Sequence, residues 1–386
     1  MRVQARTSLT LLRVSVMLLG TVGVAGRVCA QSEVQRKIVA LAATRSGSEL
    51  FAAVNDESDN SASHLYAMSP ASGEVIWQTG KLPEIGSAKV APDGATVAVG
   101  LVGVPDRDAG VVLFETKSGK QSGSLGFDKK LIFAPGMVYP RFGSGVSQLN
   151  YSPNAALLYG LSNDTLFAWD VASNAYLWIR DVPAVIEAPA ELPDPLPYGP
   201  ATGFVLSPDG RQIAAVRDAL WVATAARTTP RHFIKRSATG SMQIAAAAFS
   251  SDNRTLAAGE FGSNDESKTR VYQTELWVGG SLHSMKIEGC GGGIAWTSDP
   301  SVFGCQNGTG AHLRNVNDAQ KDIGAAGPVS DLPILRVGNS LWAAAYRETD
   351  WKDPGKPLVL TLVELGTGKR VTITLPGRSQ ITTSAR

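Results

Sequence analysis

Apolar and polar positions along this chain alternate in short blocks and not at helical spacing. Seven times an apolar run leads into a small polar turn and then a second apolar run. The turns open RSGSELFAAV from Arg45, APDGATVAVG from Ala91, SPNAALLYGL from Ser152 and SPDGRQIAAV from Ser207. They continue as SSDNRTLAAG from Ser250, TSDPSVFGC from Thr297 and VGNSLWAAAY from Val337. Asp-Gly, Asn and Pro supply the backbone geometry that such turns demand. A second pair of runs follows in HLYAMSPASGEVIWQTG from His64, GVVLFETKSGKQSGSLG from Gly110, TLFAWDVASNAYLWIRDV from Thr165 and LVLTLVELGTGKRVTITLPG from Leu358. Ser72-Gly73, Ser118-Gly119, Ser173-Asn174 and Thr367-Gly368 are hairpin signals between them. The fourth, fifth and sixth units carry weaker versions. Each unit reads as four short strands, a to d, and helix signals are almost absent.

The pattern therefore predicts an all-β chain, a β-propeller of about seven four-stranded antiparallel blades. The reason is burial. One twisted four-stranded sheet cannot cover its own faces, whereas a ring of sheets buries each face against its neighbour and leaves only short edges. A pair of packed β-sandwiches is the competing architecture, and it predicts no fixed four-strand period. The seven units use up their own strands and leave little at residues 31–36 to pair with the last blade, so the way the ring closes stays open.

Before the repeats, Arg2, Arg6 and Arg13 supply a positive region and Val14 to Ala25 an apolar stretch. That stretch is shorter than the roughly 20 residues a membrane span needs. Val28 and Ala30 stand at the −3 and −1 positions of a cleavage site before Gln31. Residues 1–30 read as a signal peptide and 31–386 as a single propeller domain, which predicts a periplasmic or extracellular protein with no membrane span after cleavage. An uncleaved anchor and a lipoprotein attached through Cys29 are the alternatives. The mature chain keeps Cys290 and Cys305, and an exported pair is expected as a disulfide. It should join the start of strand a to the end of strand b in the sixth unit, near the top face. Charged residues make up 18% of the chain and the net charge is +2, which argues against a nucleic-acid partner.

The Ser-Pro-Asp-Gly turn at Ser207–Gly210 and, less closely, Ala91–Gly94 resemble the WD40-like repeats of bacterial periplasmic propellers. LYAMSPASGEVIW, ending at Trp77, is similar to a quinoprotein-type repeat, and Trp178 matches the same place in the third unit. Trp169-Asp170 is the one Trp-Asp pair, and no Gly-His pair accompanies it. The resemblance implies that such tryptophans pack between blades.

In a propeller, strand a lines the central channel. The b–c loops and d–a connections share one end, the top, and the a–b and c–d turns share the other. The short turns above fall on the bottom. The top receives the acidic b–c loops, with Asp56, Glu57, Asp59, Asp106, Asp108, Asp265 and Glu266, and the Arg347–Lys356 loop with Trp351. It also receives the Asp128–Gly145 connection with Tyr139 and Arg141, and a Pro-rich connection, Pro183–Pro200. Loops clustered at one end of a rigid scaffold are where binding resides. The expected ligand there is a protein, a peptide or a saccharide. No spaced carboxylate motif supports Ca²⁺, no histidine stands at zinc-ligand spacing from a cysteine, and no cofactor is expected. GCGGG at Gly289–Gly293 precedes a strand and not a helix, so crowding near the axis explains its glycines better than a phosphate cradle.

Two function classes remain. The first is a non-catalytic binding or scaffold module. The second is an enzyme, or the large subunit of a redox enzyme, with its site at the channel mouth. No G-x-S-x-G elbow is present. His64 and His312 each stand near the start of a c strand and are the candidates for an acid–base or metal pair at the top; solvated loop positions are the plainer reading.

Overall fold

A computed structural model describes residues 36–56, 62–102, 110–126, 145–162, 165–181, 203–216, 220–225, 230–234, 243–263, 270–279, 284–327, 332–346 and 357–377. These residues form 28 strands in seven four-stranded sheets, each antiparallel and each built from four consecutive strands. Blade 1 comprises β1 (Arg36–Ala43), β2 (Leu50–Asp56), β3 (His64–Met68) and β4 (Val75–Gln78). Blade 2 comprises β5 (Ile85–Val90), β6 (Thr96–Leu101), β7 (Val111–Glu115) and β8 (Gln121–Leu125). Blade 3 comprises β9 (Gln148–Tyr151), β10 (Leu157–Ser162), β11 (Thr165–Asp170) and β12 (Ala175–Asp181). Blade 4 comprises β13 (Gly203–Leu206), β14 (Gln212–Val216), β15 (Leu220–Thr224) and β16 (Pro230–Ile234). Blade 5 comprises β17 (Gln243–Phe249), β18 (Thr255–Ser263), β19 (Arg270–Val278) and β20 (Ser284–Glu288). Blade 6 comprises β21 (Ile294–Trp296), β22 (Val302–Asn307), β23 (Gly310–Asn315) and β24 (Asp318–Ala326). Blade 7 comprises β25 (Leu335–Val337), β26 (Ser340–Tyr346), β27 (Leu358–Glu364) and β28 (Arg370–Leu375).

Strand alternation distributes each blade between two neighbours. Along β2, Leu50, Ala52 and Val54 pack toward blade 7, while Phe51 and Ala53 pack toward blade 2. Because both faces of every blade are covered, the middle strands are apolar on both sides, and β2 and β3 are buried throughout. The buried apolar residues fall into seven clusters, one at each junction between successive blades. At roughly 25 cal/mol per Å² of apolar surface, these junctions are the main source of stability.

Tryptophans fasten three of the junctions. Trp77 Nε1 donates to Thr116 O of blade 2 at 2.7 Å, and its ring lies against Gly119. Trp169 Nε1 donates to Gly126 O at 2.9 Å, and Trp296 Nε1 to Ala248 O at 3.0 Å. Gly119 has φ +68°, and a Cβ there would stand 2.6 Å from the Trp77 ring, so the turn requires glycine twice over. Trp178 lies in β12 opposite Ala168.

The first strands form the innermost ring, β1 beside β5, β5 beside β9, β9 beside β13, β13 beside β17, β17 beside β21 and β25 beside β1. Closure uses side chains. Blades 7 and 1 share no strand among the described residues. Instead Ile38, Leu50 and Tyr66 pack against Trp342, Leu360 and Ile373. Arg36, 2% exposed, sends Nη1 to Pro376 O at 2.7 Å and Nη2 to Tyr66 Oη at 3.0 Å.

Cys290 and Cys305 are joined as a disulfide, with Cα atoms 5.6 Å apart. Cys290 does not open the first strand of blade 6. It sits in the connection before β21, because Gly291 and Gly292 both donate backbone N–H groups to Gln306 O, at 2.9 and 2.7 Å, and delay the ladder. A Cβ on Gly291 would collide with the carbonyls of Gln273 and Glu260, so crowding explains this glycine run.

Candidate functional site

The two ends of the ring differ in chemistry. At the bottom, the a–b turns satisfy themselves. Ser207 Oγ donates to Asp209 Oδ1 at 2.6 Å, and Arg211 N donates to the same oxygen at 3.0 Å. Ser250 and Asp252 repeat the arrangement at 2.6 and 3.0 Å. These hydrogen bonds hold the Asp252 carboxyl below its usual range; for Asp209 partial burial pushes upward, and the Ser207 and Arg211 hydrogen bonds together with the Arg211 charge outweigh it. Turns also link across blades, with Asp209 N donating to Asn253 Oδ1 at 3.0 Å and Ser251 Oγ to Ser298 O at 2.9 Å. These carboxylates are structural.

The top is the end where b strands stop and d–a connections cross. Asn55, at the end of β2, clips blade 2 with both amide atoms. Its Nδ2 donates to Ile85 O at 2.8 Å, and Ile85 N donates to its Oδ1 at 3.0 Å. Gln148 accepts from Phe204 N at 2.6 Å, and Gln306 Nε2 donates to Leu332 O at 2.9 Å. Thr274 Oγ1 donates to Cys290 O at 2.7 Å. Gln273 Nε2 donates to Glu260 Oε2 at 2.6 Å, and Glu260 is buried. These clips make the rim of the top end rigid. The sequence reading missed them, since each partner lies 13 to 56 residues away.

Of the residues singled out in the sequence, Asp56 is described. It ends β2 and is buried, not displayed on a loop. Glu57, Asp59, Asp106, Asp108, Tyr139, Arg141, Asp265, Glu266 and Trp351 lie outside the described residues. His64 opens β3 at the top but is buried, with Nδ1 3.0 Å from Thr79 O. A carbonyl only accepts, so Nδ1 carries the proton. Burial lowers the His64 pKa, and the Thr79 contact only partly opposes this. His312 lies in β23 of blade 6, its Nδ1 2.6 Å from Asp322 Oδ2. Its Nε2 is buried without a hydrogen-bond partner among the described residues. With blade 7 standing between blades 6 and 1, the two histidines do not meet as an acid–base or metal pair. No group of three metal-ligating side chains occurs among the described residues.

One residue of the innermost strands was not anticipated. Lys89 of β5 is reached by solvent, although protein surrounds it closely enough that desolvation lowers its pKa. Lining up the repeats on their turns would have exposed it as a charge at a position that five other blades fill with small or neutral residues.

No protein-family model matches the chain, and no curated protein is recognisably similar to it in sequence. Solved structures do resemble it. A Kuenenia stuttgartiensis hydrazine synthase chain aligns with TM-score 0.58 and 9% identity, over 92% of this chain and 99% of that one. A chain of a mitotic checkpoint complex aligns with TM-score 0.55 and 14% identity, over 87% and 95%. The β-propeller domain of Myceliophteria thermophila Cps50 (Swd1) aligns with TM-score 0.49 and 12% identity, over 73% and 81%. The chain is a β-propeller. At these identities the likeness to the first two carries the fold and leaves function to the residues themselves.

Proposed function

We propose that the mature propeller is an exported, non-catalytic binding or scaffold protein that takes a protein, peptide or saccharide on its top end. The observation that carries this reading is the contrast between the ends. The bottom is closed by short turns whose polar groups are already satisfied, while the connections between strands at the top include the longest in the chain, on a rim stiffened by Asn55, Gln148 and Gln306. Export is supported by the pattern of residues 1–30 and by the paired cysteines. The modest net charge and the absence of a basic stripe in the sequence favour a ligand other than nucleic acid.

The test compares residues 31–386 with three variants: one shortened within 128–145, one within 347–356, and a control with the Ser207–Gly210 turn replaced. Loss of ligand capture in the two top variants, with capture kept in the control, is the expected outcome. Equal loss in all three, or capture untouched by the top changes, would overturn the reading. A second reading is an enzyme or the large subunit of a redox enzyme, favoured by the propeller's likeness to a chain of a hydrazine synthase. A visible chromophore or a stoichiometric metal in the purified protein would put that reading first.

A further inference from the structure

Six of the first strands end in the same way. Thr44, Ala91, Ser152, Ser207, Ser250 and Thr297 each donate a backbone N–H to the carbonyl of the residue five further on. This shared bond aligns the blades without reference to side chains. Two residues before it stand Ala42, Lys89, Asn150, Val205, Ala248 and Ala295. Five are small or neutral, and blade 2 alone among these six places an ammonium there. The first strands are the innermost ring. Ala88 and Val90, on either side of Lys89, pack toward blade 1, so Lys89 faces the blade 3 side, where its exposed side chain is long enough to reach the axis. Lys89 is open to solvent on a strand that pairs with β6 and stands between β1 and β9, and desolvation lowers its pKa. An exposed lysine on the outer surface would not be desolvated. A lysine packed in the core would not be open to solvent.

Among the described residues, no carboxylate or hydrogen-bond acceptor pairs with Lys89, and the displacement of its pKa has burial as its single cause. On the adjacent β9, at the same level, Asn150 uses one N–H on Phe204 O at 3.1 Å. Its second amide N–H has no partner among the described residues. An unpaired cation that has lost part of its hydration is costly, and an anion that enters restores the lost solvation while gaining a stronger attraction than it would have in water.

We propose that the axial channel holds a small anion, a carboxylate or an inorganic oxyanion, against the Lys89 ammonium, with the spare amide donor of Asn150 beside it. The inference does not depend on what the top loops bind. The probes are acetate and phosphate, added to the mature protein in low-salt buffer, with thermal midpoint and titration calorimetry as readouts. The wild-type midpoint should rise saturably with at least one probe. Lys89→Met should bind that probe at least about 10-fold more weakly, the effect of losing a charge-assisted hydrogen bond, and without anion it should be no less stable than wild type. Lys89→Arg, which keeps the charge, should retain most of the response. The same rise in wild type and Lys89→Met would place the anion elsewhere and overturn the proposal. So would the absence of both heat and midpoint shift in the wild type, a result that needs no variant to fold.

Discussion

His64 shows how a single buried side chain makes the fold sensitive to acid. In the folded protein its imidazole is kept neutral, mainly by burial, so its folded pKa lies below the ordinary value of 6.5. The unfolded chain therefore takes up the proton first as pH falls. The contribution is complete above about pH 6.5, the unfolded value, and is lost as pH descends through the depressed folded value. Urea midpoints measured at pH 7.5 and at pH 5 should show a drop in the wild type that is smaller in His64→Gln, whose amide can still donate to Thr79 O. An equal drop in both proteins would assign the acid sensitivity to other groups. Little of this was legible in the sequence. The position of His64 at the start of a c strand was, but its partner Thr79 lies across the β3–β4 hairpin, and burial depends on the neighbouring blade.

At the scale of the strand, the turns were the legible part, because a turn is encoded by adjacent residues. All seven a–b turns connect the first two strands of their blades as expected. The outer strands of blades 4 to 6 were harder to read. An outermost strand has a neighbour on one edge alone and keeps much of its surface in water, so it needs no apolar alternation; β20, SMKIE, buries one residue in five. The opposite case is β21, whose ladder with β22 spans just three residues. Here the disulfide holds what the ladder does not. Replacing both cysteines by alanine should lower stability by about 3 kcal/mol, from closure of a loop of this length. The native protein should show no reaction with a thiol reagent until it is reduced under denaturing conditions, since both sulfurs are fully buried. Rapid labelling of native protein would argue against the bond.

For the whole ring, the blade count and the one-blade-per-repeat arrangement could be read from the chain, because each blade is continuous in sequence. The closure could not, since it depends on Arg36 meeting Pro376 across 340 residues. Removing that guanidinium strips a hydrogen bond from the buried Tyr66 hydroxyl and another from the part-buried Pro376 carbonyl. Arg36→Ala should cost about 2–3 kcal/mol in urea unfolding, and Tyr66→Phe, which deletes one hydroxyl, about 1 kcal/mol. If Arg36→Ala proved as stable as the wild type, packing alone would be holding the ring shut.

The manner of closure has a mechanical consequence. In a ring locked by a shared strand, force applied across the last junction must shear a row of backbone bonds at once. Here the described strands on the two sides of that junction belong to separate sheets. Tension between β1 and β28 would load the Arg36 contacts and the apolar contacts behind them. The ring would then part like a clasp at the junction where no chain connection runs from one blade to the next, with every blade still whole.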